Sequence, residues 1–210
     1  MTAFLTVFCG LLGLAIGSFL NVVIWRVPRS ESVVRPPSHC PSCDAEISPR
    51  DNIPVLSWLI LRGRCRHCGQ PISRRYPLVE LTTGVLFALL AWHFGSHPVL
   101  AAYLYLAAVG VALAMIDFDH HRLPDALTLP SYVVVAGLLG LAAAVAGEAW
   151  PFERALIAMA ALYAFYFVVA LIQPRGMGFG DVKLSGVIGL ALGYLGWGQL
   201  VVGAFAAFLI

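Results

Sequence analysis

Between residues 117 and 183 the chain reads DFDHHRLPD (117–125), ALTLPSYVVVAGLLGLAAAVAG (126–147), EAWPFER (148–154), ALIAMAALYAFYFVVALIQ (155–173) and PRGMGFGDVK (174–183). The two uncharged runs have 22 and 19 residues, long enough for helices that cross a hydrocarbon core. Joined by one short polar stretch, they form a helical hairpin that returns the chain to the side it left. Asp117 and Asp181, 64 residues apart, therefore emerge on the same face of the bilayer. Carboxylates at a membrane boundary are costly to place and tend to be functional, so this same-side pair is the first candidate for chemistry.

The rest of the chain repeats the pattern. With 60% hydrophobic residues, 11% charged and a mean hydropathy of +0.86, an ordinary soluble domain is excluded. Further uncharged runs occupy 2–25 and 98–116, with a shorter one at 81–94. The first run lacks a basic leader and a small-residue cleavage site, so it reads as a span and not as a removable signal peptide. The tail, 184–210, is interrupted by Gly193, Gly196 and Gly198. It predicts a short span, a turn, and a new helix from about Gln199 with about 12 residues, against the roughly 20 needed to cross. The expectation is that the sequence ends inside a span. The fold class expected is an all-α polytopic membrane protein with about six to seven transmembrane helices and a small zinc-ribbon-like cytoplasmic insert.

Charge sets the orientation. Nine of the thirteen basic residues fall between Arg26 and Arg75, and the positive-inside rule puts that loop in the cytoplasm. Two spans later Asp117 is cytoplasmic too, as is Asp181, while the N-terminus and the turns at 95–97 and 148–151 lie outside. Orientation accounts for the arginines, so nucleic acid is not called as a partner; membrane lipid is. Three parts follow: an N-terminal transmembrane helix (1–25), a cytoplasmic insert (26–77), and a multi-helix membrane domain (78–210). Eight prolines between 28 and 77 break the insert into turns and extended pieces. About fifty residues is small for an independent core, so a staple is expected.

Cys40-Pro-Ser-Cys43 and Cys65-Arg-His-Cys68 supply one. Each Cys-x-x-Cys pair offers two thiolates from a tight knuckle, and two knuckles complete the four-sulfur shell of structural zinc. Gly69 permits the left-handed turn that such a knuckle uses. Disulfides are disfavoured in the reducing cytoplasm, and a redox Cys-x-x-Cys normally stands alone. A filled four-sulfur site has no open position, so the Zn2+ is structural. His39 and His67 flank the knuckles and could replace a thiolate, but with four cysteines present they are not expected to, and Cys9 in the first span is packing.

The carboxylates admit two readings. Asp181 reads as a cap of the following helix, Asp125 after Pro124 as an N-cap, and Asp119 as solvated. Alternatively, Asp117 and Asp181 share one proton, the ionised member activating water and the protonated one donating to a scissile carbonyl. Gly176, Gly178 and Gly180 suit a backbone that passes close to a substrate strand or neighbouring helix. They do not form a nucleotide-binding loop, because they follow a span and not a strand. His93 and His97 read as local caps near the outer face.

In combination these residues resemble the type IV prepilin leader peptidases, membrane enzymes of type IV pilus and type II secretion systems. The resemblance runs through Gly17-Ser-Phe-Leu-Asn-Val-Val-Ile-Trp-Arg-Val-Pro28, the Cys40/Cys43/Cys65/Cys68 quartet, Arg75-Tyr-Pro-Leu-Val-Glu-Leu81, Asp117 seven residues before Pro124, and Gly178-Phe-Gly-Asp181. It implies an intramembrane aspartyl protease with Asp117 and Asp181 as its catalytic pair. Such an enzyme cuts the basic leader from prepilins and pseudopilins at the cytoplasmic face and methylates the new N-terminus with S-adenosylmethionine. No methyltransferase pattern is visible, so the donor site is unknown, with Glu80 and Asn21 as polar candidates or as helix-to-helix hydrogen-bonding groups. The resemblance also implies that the family's terminal spans are missing here. The oligomeric state is not read from the sequence. Rival classes are a proton-coupled transporter, which would place its carboxylates along a midplane path, and an assembly scaffold docking through the insert.

Overall fold

The computed structural model describes residues 2–173 and 177–206, so Gly176 lies outside the described residues. Eight helices are described: α1 Thr2–Arg26, α2 Leu56–Ile60, α3 Arg75–Phe94, α4 Leu100–His120, α5 Asp125–Ala146, α6 Trp150–Ile172, α7 Phe179–Leu195 and α8 Trp197–Ala206. Short 3-10 turns cover Val27–Arg29 and Pro49–Asp51. Among the described residues there is no strand, only two isolated antiparallel bridges, His39 to Glu46 and Arg64 to Pro71. The all-α class is as expected.

Five helices, α1, α3, α4, α5 and α6, are long and apolar enough to cross a membrane. Large apolar side chains such as Phe4, Leu11, Val133, Phe165 and Leu171 stand exposed on them, as lipid-facing positions require. The run at 81–94 is longer in structure than in sequence. Arg75–Glu80 joins it to make a helix of 20 residues, because Pro77 falls in the first turn, where its missing N–H costs nothing. Pro130 sits inside α5, where a bilayer-buried helix tolerates it. The expected break in the tail comes at Gly196, and α8 starts at Trp197, two residues before the position read from the sequence.

The described chain forms two compact units, Met1–Ser96 with Ala107–His120, and His97–Leu106 with His121–Ile210. In the first, α1 packs along α3 with almost no spacing. A Cβ on Gly17 would stand 2.7 Å from the Glu80 Cα, and one on Gly13 would stand 2.8 Å from the Thr83 carbonyl oxygen. Small residues let two backbones approach this closely in lipid. Asn21 Nδ2 donates to the Tyr76 carbonyl at 3.2 Å across the same contact. In the second unit, α7 packs on α6 in the same way: a Cβ on Gly189 would be 2.7 Å from the Ala158 carbonyl oxygen. Arg154 of α6 donates to the carbonyls of Gly193 and Tyr194 at 2.7 and 2.6 Å, satisfying the open C-terminal end of α7.

Candidate functional site

The cysteines build a two-fold repeated local structure. In the first knuckle the N–H of Cys40 donates to the Ala45 carbonyl and that of Asp44 to the Cys40 carbonyl, at 3.0 and 2.9 Å. In the second, the N–H of Cys65 donates to Gln70 and that of Gly69 to Cys65, at 2.8 and 3.0 Å. The residue after each pair is left-handed: Asp44 at φ +54° and Gly69 at φ +71°. Gly69 does what the sequence suggested, and Asp44 takes the matching position in the other knuckle, where Asp is tolerated. One β-bridge closes each knuckle. The four Sγ atoms all lie within 4.8 Å of one another, Cys40 and Cys68 at 3.8 Å. Four sulfurs about 2.3 Å from a shared zinc would be about 3.8 Å apart, so the quartet fits a tetrahedral ion. Backbone N–H groups of Cys68 and His67 hold the Cys65 thiol down to about 6, while burial and hydrogen bonds with the neighbouring thiols push Cys43 up. Neither His39 nor His67 joins the cluster; His39 Nδ1 lies 3.3 Å from the Pro37 carbonyl.

Asp117 is exposed in the last turn of α4. Two residues on, Asp119 is not merely solvated: its carboxylate accepts from Arg75 Nη1 at 2.6 Å. Arg75 Nη2 also donates to the Met115 carbonyl at 3.1 Å. One guanidinium at the start of α3 thus grips both backbone and side chain of the turn carrying Asp117. Positions two apart lie about 200° around a helix. Pinning Asp119 to α3 therefore turns Asp117 to the opposite face.

Asp181, also exposed, occupies the first turn of α7. Its Oδ2 accepts from the Gly178 N–H at 3.2 Å, so the capping reading is realised, with Gly178 as the N-cap and Asp181 as its partner three residues on. The same offset of two recurs. Lys183 Nζ bridges both carboxylate oxygens of Asp125, at 2.8 and 2.9 Å, and the Lys183 carbonyl accepts from the Tyr132 hydroxyl of α5. Asp125 is accordingly no N-cap. Pro124 holds that position, and the carboxylate is spent on an ion pair. Gly180 packs against Leu123 in the loop before α5, where an added Cβ would stand 3.1 Å from the Leu123 Cβ.

Arg75, Lys183 and Tyr132 were missed by sequence reasoning. Their partners lie 44, 58 and 51 residues away, and no local spacing announces them. The other polar candidates take structural places. Glu80 Oε2, buried, accepts from the Val55 N–H of the insert at 2.7 Å. His97 Nδ1 accepts from the Val99 N–H at 3.4 Å, at the head of α4. His93 stands edge-on to Phe94. Cys9 is buried packing.

Comparison with known proteins covers nearly the whole chain. Residues 11–94 match the bacterial peptidase A24 N-terminal domain, and 104–210 match the type IV leader peptidase family. A prepilin leader peptidase/N-methyltransferase of Stutzerimonas stutzeri is 40% identical over 87% of this chain and 72% of its own. Proteins of the same name from Myxococcus xanthus and Klebsiella pneumoniae are each 42% identical, over 93% and 92% of this chain and 57% and 86% of theirs. No solved structure matches. With the Cys quartet, the two helix-end aspartates and both family models in one chain, this protein belongs to the type IV leader peptidase family.

Proposed function

We propose that this chain is a prepilin peptidase that cleaves the basic leader of prepilins and pseudopilins at the cytoplasmic face of the bacterial inner membrane. One observation carries the proposal: the family match spans the chain, and within it Asp117 and Asp181 each sit exposed at the loop end of a helix, braced from behind. The two carboxylates act as a dyad. One, ionised, removes a proton from water as it attacks the scissile carbonyl; the other, protonated, donates to the carbonyl oxygen. The tetrahedral intermediate then collapses as a proton passes to the departing amine. No covalent acyl intermediate is formed.

Residues 26–77 form the cytoplasmic insert, Cys40, Cys43, Cys65 and Cys68 hold a structural Zn2+ in it, and 78–210 form the protease domain. The N-terminus lies outside. The chain also methylates the exposed α-amine, with S-adenosylmethionine consumed as the methyl donor. The names of its relatives, prepilin leader peptidase/N-methyltransferase, support both steps. The transporter and scaffold alternatives gain nothing from these matches.

The test is leader removal from a prepilin by reconstituted protein. Asp117→Asn and Asp181→Asn should each cut on the order of 10³-fold more slowly, within the range for loss of a general acid or base. Normal cutting by either variant would overturn the dyad.

A further inference from the structure

The first unit contains a cleft that neither the protease nor the zinc site uses. It has a volume of about 390 Å³ and runs along one face of α1, past Ala15, Phe19, Val22 and Arg26, under the insert at Val33 and Pro37. The four α1 positions recur at helical spacing, so they form a continuous stripe. From Ala15 to Arg26 the stripe is about 16 Å long at 1.5 Å per residue. Its two ends differ. The far end, at Ala15, Ser18 and Phe19, lies near the middle of a helix apolar enough to span a membrane. The near end is the Arg26 guanidinium, only 7% exposed.

That guanidinium has no counter-charge. It donates to the carbonyls of Ser32 and Pro36, at 2.9 and 2.7 Å, and no carboxylate pairs with it among the described residues. Arginine has five N–H donors, so three remain. A buried cation with donors to spare favours an anion. Depth along the bilayer narrows the choice. Trp25 is exposed beside it, with Arg29 stacked 3.8 Å over its ring, and such an aromatic–cation pair marks the level of the headgroups. Arg26 is therefore at phosphate depth, with the Val22, Phe19 and Ala15 stripe of α1 running from it along the helix, and Ser18 and Asn52 also lining the cleft.

We propose that this cleft binds one anionic phospholipid, its headgroup phosphate on Arg26 and an acyl chain along Val22, Phe19 and Ala15. Basic pockets at the cytoplasmic ends of membrane helices bind anionic headgroups by the same physics.

The experiment places the full chain in nanodiscs with spin-labelled phosphatidylglycerol or spin-labelled phosphatidylcholine and measures the immobilised fraction. Phosphatidylglycerol should be retained about fivefold better than phosphatidylcholine, the size of one arginine–headgroup interaction. Arg26→Gln should erase the preference. Ala15→Trp fills the far end without touching the guanidinium, and should displace the bound chain even if Arg26→Gln fails to accumulate. Competition by inorganic phosphate in millimolar excess should have no effect; displacement by it would assign the site to free phosphate. Equal retention of the two lipids, or unchanged retention in Ala15→Trp, overturns the proposal. Leader cleavage is not the readout, so the outcome stands apart from that of the dyad.

Discussion

The cysteine knuckles and the two aspartate-bearing helix ends are both candidate chemical sites, yet they are specified in different ways. Each knuckle is closed by hydrogen bonds within six residues, and its left-handed residue follows the second cysteine directly. Nearly everything that aims the four sulfurs is written next to them. The aspartates are aimed from far off. Arg75 reaches 44 residues to hold the turn behind Asp117, and Asp125 holds Lys183 behind Asp181 across 58. A site made of local turns needs a metal to become rigid. A site at helix ends takes its rigidity from the helices packed around it.

The largest effect should therefore come from the metal. Structural zinc contributes an apparent folding energy of about 10–16 kcal/mol in small zinc modules. Cys65→Ser should abolish zinc in elemental analysis of the purified protein and make the insert sensitive to limited proteolysis. Unchanged zinc content would remove the quartet as a metal site. Chelation of wild-type protein should reproduce that sensitivity. Asp117→Asn comes next, with its on the order of 10³-fold loss of cleavage. The two substitutions should not mimic each other: the aspartate variant keeps its zinc. Loss of zinc in Asp117→Asn would show that the two sites share one folding unit, and the comparison would fail.

How much could be read from the sequence follows the same division. The hairpin 126–173, the quartet and the turn at Gly69 were legible because membrane length, Cys-x-x-Cys spacing and a glycine are local signals. The extension of α3 back to Arg75 was not, because Arg74 and Arg75 looked like loop charge until packing joined them to a helix. Asp125 followed the preference rules for an N-cap, but tertiary structure used its carboxylate on Lys183 instead. Asp119 looked solvated because nothing in its own segment names Arg75. Asp181 turned out to satisfy the bland reading and to remain a catalytic candidate at once: its carboxylate accepts the Gly178 N–H and stays exposed.

Helix packing can be tested next. Gly189→Val would drive a side chain into the α6 backbone at Ala158, and overpacking of this kind costs about 1–3 kcal/mol. A lower melting midpoint with zinc retained is expected. Smaller again is the brace behind Asp117. Arg75→Ala should slow cleavage by about tenfold, the factor that corresponds to a lost charge-assisted contact of about 1.4 kcal/mol, and should act on kcat more than on KM. Arg75→Asp combined with Asp119→Arg re-forms the pair with its charges exchanged, and recovery of rate would separate positioning from general loss of fold. No change in Arg75→Ala would mean that α4 holds Asp117 unaided.

The least effect is expected where a distant clamp has been added to the local site. Arg66, inside the second knuckle, makes a two-pronged ion pair with Asp51, Nη2 to Oδ1 at 2.6 Å and Nε to Oδ2 at 2.8 Å. Hydrogen bonding from Arg66 holds the Asp51 carboxyl below the usual carboxylate range. The sign follows from linkage. A group with a depressed folded pKa stabilises the fold above its unfolded pKa, about 3.9, and that contribution fades as pH falls through the lower folded value. Asp51→Asn should thus lower the thermal midpoint of the insert slightly at pH 7, and the gap from wild type should shrink as pH falls below about 3.9 and close once it has passed the depressed folded value. High salt should narrow it too, since the pair is exposed to solvent. A gap that stayed constant through the acid range would mean that Asp51 acts through packing and not charge, and that the second knuckle is as self-sufficient as its backbone pattern suggests.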